Sequence, residues 1–157
     1  MIGKIIDTII LFFPSYIANS TPVVLGGGPP VDGGATWSDG KPILGANKTI
    51  RGSITEVLAG TIIGLLQGNL VGGFAQSAGA ILGDLISSFY KRRRDYPPGS
   101  SMPFIDQLDF IIMAVILSYP FQATDLVSAL TIMVITVPIH YAVNYIAWLL
   151  KLKKNPW

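Results

Sequence analysis

Cysteine is absent from this chain and histidine occurs once in 157 residues. Disulfides and thiolate metal sites are therefore excluded, although the redox compartment stays open. Charge is scarce as well. Only 13% of residues are charged, against about a quarter in an ordinary soluble domain. The net charge of +2 gives no ground for expecting a nucleic-acid partner. Half of the residues are hydrophobic and the mean hydropathy is +0.54, which points to lipid as the main solvent. Residues 1–157 read as a single membrane-embedded domain.

Five apolar stretches are separated by two polar, glycine-containing loops. They run over Ile5–Leu25 (interrupted by Pro14 and Pro22), Ile54–Val71, Phe74–Tyr90, Leu108–Phe121, and Leu126–Leu150 with Pro138 inside. A membrane-spanning helix needs about 20 residues, which the first and fifth reach and the fourth reaches only with Asp106 and Asp109 at its edge. The pattern predicts an all-α bundle of about five transmembrane helices. A soluble bundle would need polar faces at helical spacing, and stretches two and five barely have them. Gly60, Gly64 and Gly68 form a small-residue stripe suited to close helix packing in lipid, and Gly72-Gly73 reads as the turn before stretch three.

Lys and Arg placement decides topology. With the N-terminus outside and five spans, the two polar loops and the C-terminal tail share one side. That side carries Lys41, Lys48, Arg51, Lys91, Arg92, Arg93, Arg94, Lys151, Lys153 and Lys154, leaving Lys4 opposite. The positive-inside rule makes the basic side cytoplasmic. A signal peptide over residues 1–20 is the alternative, but Asp7 interrupts its apolar run and four spans would remain.

Seven acids also lie on or near the basic side: Asp32, Asp39, Glu56, Asp84, Asp95, Asp106 and Asp109. Asp95 and Lys151 to Lys154 read as solvated surface. Asp84 is different, because a carboxylate inside a span is expensive and a functional candidate by default. Ser87, Ser88 and Lys91 follow it at helical spacing, on one face. A structural pairing of Asp84 with a lysine on another helix is the competing account. Asp106 and Asp109 sit one turn apart at the start of stretch four, where capping and the helix dipole could account for one of them. Three carboxylates near one boundary, without cysteine, suit a hard oxygen-ligated ion such as Mg²⁺ better than zinc. His140, deep in stretch five, reads as a packing or hydrogen-bonding residue.

The first loop contains Gly26-Gly-Gly-Pro-Pro-Val-Asp32-Gly-Gly and later Leu44-Gly-Ala-Asn47-Lys48-Thr49-Ile-Arg51-Gly52. Glycines let backbone N–H groups approach phosphate oxygens, and Lys and Arg neutralise them. Gly40 to Gly45 has Walker-loop spacing, but Ala46-Asn47 intervene before Lys48-Thr49 and no strand precedes. A phosphate-handling loop fits; a P-loop fold does not.

These blocks, with Gly83-Asp84-Leu-x-Ser87-Ser88-Phe-x-Lys91-Arg92-Arg93 and Asp106-Gln107-Leu-Asp109-Phe, resemble the CDP-archaeol synthase family over most of the chain and in order. The resemblance implies a CTP-dependent, Mg²⁺-requiring cytidylyl transfer to an isoprenoid ether-lipid glycerol phosphate, releasing pyrophosphate. The phosphatidate cytidylyltransferases are more distant: Ser87…Lys91-Arg92 and the closing Asp-x-x-Asp are here, but their His-Gly-Gly and Asp-Arg elements are not. On this resemblance Asp84, Asp106 and Asp109 would hold metal. Lys48, Arg51, Lys91, Arg92 and Arg93 would hold phosphates, Lys48 also serving catalysis. Asp39, Asn47, Thr49, Gly83, Ser87 and Ser88 would line the substrate site, and grooves between spans would take the lipid chains. Two other classes compete. An ion-coupled transporter would call for inverted repeats or broken helices in matching halves, which five spans with unequal loops do not supply. A non-catalytic subunit of a membrane complex would not need the ordered polar blocks. A CDP-alcohol phosphotransferase would continue Asp39-Gly40 differently. Oligomeric state is not encoded in any of these features.

The topology has a direct test in a chain without native cysteine. Cysteines at Ser38, Gly99 and Asn155 are expected to react with impermeant reagents from the cytoplasmic side only, and one at Asp125 from outside. Opposite sidedness of positions 38 and 99 would contradict five spans.

Overall fold

The computed structural model describes residues 2–153 and 155–156 and is all helical, with no strand among them. Lys154, counted above on the basic side, lies outside the described residues. The helices are α1 (Ile2–Leu11), α2 (Phe13–Leu25), α3 (Ile50–Leu66), α4 (Leu70–Arg93), α5 (Ile105–Ser118, continued by a 3₁₀ turn over Tyr119–Phe121) and α6 (Leu126–Leu149). Two of them, α4 and α6, are long and apolar enough to cross a membrane, and α1 with α2 would form a third, bent span. Helices α3 and α5, with 17 and 14 residues, are shorter than a full span.

The first apolar stretch breaks at Phe12, where α1 and α2 diverge by 54°. Pro14 lies in the first turn of α2, where it lacks an amide and cannot continue the α1 ladder. In an apolar interior the freed backbone groups need partners. Gln76 of α4 supplies two, donating to the Leu11 carbonyl at 2.8 Å and accepting from the Ser15 amide at 3.2 Å. Gln67 donates to the Ile10 carbonyl at 2.7 Å. At the same end Lys4 pairs with Asp125 at 2.9 Å, while Asp125 caps α6 through the Ser128 amide at 2.6 Å.

Helix α4 is the central element, packed against α3, α5 and α2. Its contacts are backbone on backbone. A Cβ at Gly64 of α3 would lie 2.4 Å from Gly73 Cα, and one at Gly79 would lie 2.4 Å from the Met113 carbonyl oxygen of α5. The Gly72-Gly73 turn expected from sequence is therefore not a turn. Both residues sit inside α4, where the bareness of Gly73 serves the crossing with α3 and that of Gly72 leaves room for the Asn69 side chain. The turn is one step earlier: Asn69 caps α4 by accepting from the Gly72 amide at 2.8 Å. Gly68 adopts φ +77° with open space around it, so it makes the turn and does not extend the Gly60–Gly64 stripe. The fully buried core gathers Phe12, Ala18, Ala80, Phe110, Ile111 and Ile132.

Gly64→Ala and Gly79→Ala are expected to lower the melting temperature in detergent, since overpacking of this kind costs about 1–3 kcal/mol. Gly3→Ala, with nothing within 4 Å of its added carbon, should not. Equal melting of all three would refute the close crossings.

Candidate active site

The polar end of the bundle is built by the C-terminal half of α4, the N-terminal ends of α3 and α5, and the two loops that join them. The first loop is folded, not slack. Asp32 accepts from the amides of Gly34 at 2.9 Å and Leu44 at 2.8 Å. Slight burial opposes its ionisation, but these amides outweigh it and hold the carboxyl below its usual range. Short antiparallel bridges join Pro30 to Thr49 and Thr36 to Pro42. The loop then lies on the end of α4: Trp37 packs edge-on against Phe89, Arg93 covers the other exposure of that ring at 4.7 Å, and Asp39 pairs with Arg93 at 3.0 Å. Lys41 reaches Asp95 at 2.7 Å, and Asp95 stays largely exposed, as expected of a solvated surface residue.

The expected site residues thus divide into two groups. Lys48, Asp84, Ser87, Lys91, Arg92, Asp106 and Asp109 are brought together. Lys48 forms an ion pair with Asp84, across α3's leading loop and α4, as the competing structural account of Asp84 anticipated. Ser87 donates to the Asp109 carboxylate. Lys91 pairs with Asp106 at 2.7 Å, and the other Asp106 oxygen accepts from the Met102 amide at 2.9 Å. The second group holds the scaffold. Thr49 caps α3 by accepting from Gly52 at 3.1 Å, and also accepts from the Gly27 amide at 3.2 Å. Arg51 donates to the Leu25 carbonyl at 2.8 Å, tying the end of α2 to the start of α3. A Cβ at Gly83 would be 2.1 Å from the Asp109 carbonyl oxygen, so this glycine sets the approach of α5. Ser88 is buried and Asn47 exposed. Arg94 is exposed over Tyr90, away from the cluster.

The carboxylates do not form a ready metal cage. Among the described residues no three His, Cys, Asp or Glu side chains are arranged to hold a metal ion, and Asp106 has both oxygens engaged by Lys91 and Met102. Asp109 likewise has both oxygens engaged, by Ser87 and the Phe110 amide, and Asp84 is paired with Lys48, while Asp84 and Asp109 lie within electrostatic reach of each other. That donor set still fits Mg²⁺, which is commonly held by one or two carboxylates with substrate phosphates completing the shell. Glu56 of α3, 4% exposed with one carboxylate oxygen unpartnered, lies in the same field as Asp84, Asp109 and Lys48. It was not singled out from the sequence, although the signal that marked Asp84, an acid inside an apolar stretch, applies to it equally.

Arg92 is the strongest electrostatic feature. It is 5% exposed, and its Nε and Nη1 find no acceptor among the described residues. Gly45, at φ +102°, packs over it from the first loop together with Pro98 from the second. A buried guanidinium that lacks an anion among the described residues, between two loops and in the field of Asp106, has the chemistry to take a phosphate-like ligand. Between α4 and α5, on the face of α4 that carries Ser87, opens a groove of about 360 Å³ whose walls include Ile86, Tyr90, Ile112 and Met113, with Ser87 and Asp109 also lining it.

The family model for CarS-like CDP-archaeol synthases matches residues 1–157. A CDP-archaeol synthase of Pyrococcus furiosus is 38% identical, covering 98% of this chain and 98% of the relative. That of Thermococcus onnurineus is 40% identical over 92% of each chain. That of Methanopyrus kandleri is 41% identical over 92% of this chain and 88% of the relative. A solved structure, described as an intramembrane enzyme for archaeal membrane lipids biosynthesis, superposes with a TM-score of 0.77 at 37% identity, covering 89% of this chain and 94% of the other.

Arg92→Gln is expected to weaken CTP and pyrophosphate binding by about 10- to 100-fold, as loss of hydrogen bonds to a charged group would. Isothermal titration measures it; unchanged affinity would remove Arg92 from the anion site.

Proposed function

The chain belongs to the CDP-archaeol synthase family, and on that premise we propose that it joins CTP to an isoprenoid ether-lipid glycerol phosphate at the cytoplasmic end of a five-span bundle. An oxygen of the lipid phosphate attacks the α-phosphorus of CTP, the bond to the β-phosphate oxygen breaks, and pyrophosphate leaves. The observation that carries this reading is the buried Arg92 side chain between the two loops, with Nε and Nη1 unpartnered among the described residues; an apolar groove between α4 and α5 at Ser87 and Asp109 suits lipid chains.

The residues have separable tasks. Arg92 holds a phosphate oxygen, and Lys48 and Lys91 turn from their aspartates toward the triphosphate and the lipid phosphate. A phosphate nucleophile is already anionic near neutral pH, so the site needs to position and neutralise two anions more than it needs a general base. Asp84 and Asp109 would hold Mg²⁺, which would supply charge neutralisation for the triphosphate. Asp106 orients Lys91. Asp32, Thr49, Arg51 and the Asp39–Arg93 pair keep the loop that carries Lys48 in place. Helices α3 and α5 would complete the five-span count as short spans, and the grouping of basic residues at one end supports the cytoplasmic assignment.

Purified protein with labelled CTP, Mg²⁺ and geranylgeranylated glycerol phosphate is expected to yield a CDP-lipid and pyrophosphate, with phosphatidate a poor acceptor. Absence of CDP-lipid from protein that binds CTP would overturn the proposal. Asp84→Asn and Asp109→Asn should each lower turnover by about 100-fold or more in protein that still melts cooperatively. Near-normal rates across a Mg²⁺ titration would take the residue out of the metal site.

A further inference from the structure

The last turn of α6 brings a lysine back toward the site. Lys151 adopts φ +60°, the Leu152 amide donates to the Ala147 carbonyl and the Lys151 amide to Trp148, both at 2.9 Å. This is a Schellman closure with lysine where glycine is usual. It reverses the chain, so that Lys153 Nζ donates to Asn144 Oδ1 at 2.8 Å. Asn144 in turn bonds His140 at 2.9 Å, and the His140 ring lies 6.0 Å from that of Phe110, the neighbour of Asp109.

This placement is unlike that of a solvated terminal lysine, which is how the sequence alone reads it. The Lys153 side chain is half-buried and its one acceptor among the described residues is a neutral amide. An ammonium has three donors, and burying it without a counter-ion is unfavourable. Burial disfavours its charge, the field of Asp106 favours it and that of Lys91 opposes it. Asp106, however, is already paired with Lys91. The α6 turn therefore holds a cation near the polar cluster with no anion of its own.

We propose that the C-terminal turn is a wall of the active site, and that Lys153, presented by Asn144 and His140, binds a phosphate oxygen of a substrate beside Lys91. The inference rests on the reading that this site takes phosphates, and two substrates could bring one: CTP or the lipid phosphate. Lysine acylation of the parent protein in detergent, mapped by mass spectrometry, distinguishes them. CTP with Mg²⁺, or the lipid phosphate alone, is expected to slow modification of Lys153 severalfold, with exposed Lys151 as the internal reference. Lys153→Gln is expected to raise KM for the protecting substrate by about tenfold, leaving KM for the other substrate and the melting temperature unchanged, and Lys153→Arg to restore most of it. Equal labelling of Lys153 with and without both ligands, or a parent-like KM in Lys153→Gln, overturns the inference while CDP-lipid formation by the parent protein stands. Protection of Lys153 in a protein that makes no CDP-lipid would leave the inference intact and refute the proposed reaction.

Discussion

Gly83 leaves no room for a side chain: an added carbon would meet the Asp109 carbonyl oxygen at 2.1 Å. The next residue is Asp84. Contact of α4 with the α5 backbone at this point fixes how far Asp84 stands from Asp109, and Ser87, one turn on, can then bond the Asp109 carboxylate. The same helix meets α3 through Gly73 and Gly64, so the N-terminal end of α3 and the loop carrying Lys48 are set from the other side. In lipid there is little hydrophobic drive to hold helices together, and such bare crossings supply the contact. Chemistry at the polar end is therefore positioned by missing side chains near the middle of the bundle.

Charge at that end is arranged in pairs. Lys48–Asp84, Lys91–Asp106, Arg93–Asp39 and Lys41–Asp95 each match a base with an acid; Lys91–Asp106 is the most buried of them and Lys41–Asp95 the most exposed. The two outermost pairs fasten the first loop, whereas the two inner pairs belong to the polar cluster. Removing one member of an inner pair strands its partner, so lost activity in such a variant combines a missing substrate contact with a locally uncompensated charge. Charge-preserving exchanges report on substrate contact more cleanly than alanine does.

Much of this was legible in the sequence. Every apolar stretch corresponds to a helix or to a bent pair, because periodicity and Pro/Gly punctuation are local signals. Asp84 stood out as an acid in an apolar run, and His140 packs and hydrogen-bonds as expected. What local pattern could not supply was pairing at long range. Gly72-Gly73 has the composition of a turn, yet Gly73 serves a helix crossing and Gly72 admits the Asn69 cap, which only the positions of Gly64 and Asn69 in space reveal. Arg92 and Arg93 are neighbours with the same side chain, yet helical rotation buries one and turns the other onto Asp39 and Phe89. Asp106 and Asp109 share a face, but Lys91 and the Met102 amide claim the first. Lys153 is invisible without the backbone reversal at Lys151.

Two of the helices that flank the site on α4 are short. At 1.5 Å per residue, α5 is about 21 Å long and α3 about 25 Å, against a hydrocarbon core of about 30 Å. A bilayer matched to such elements must thin around them, or the polar end must sink below the headgroup plane. Either way the depth of the reaction is set by the lipid and not by the nucleotide. On the proposed reading, an isoprenoid ether-lipid phosphate would reach Lys91 without being lifted from its leaflet. The water-soluble partner makes the descent, drawn into a basic recess whose depth depends on the thickness of the surrounding membrane.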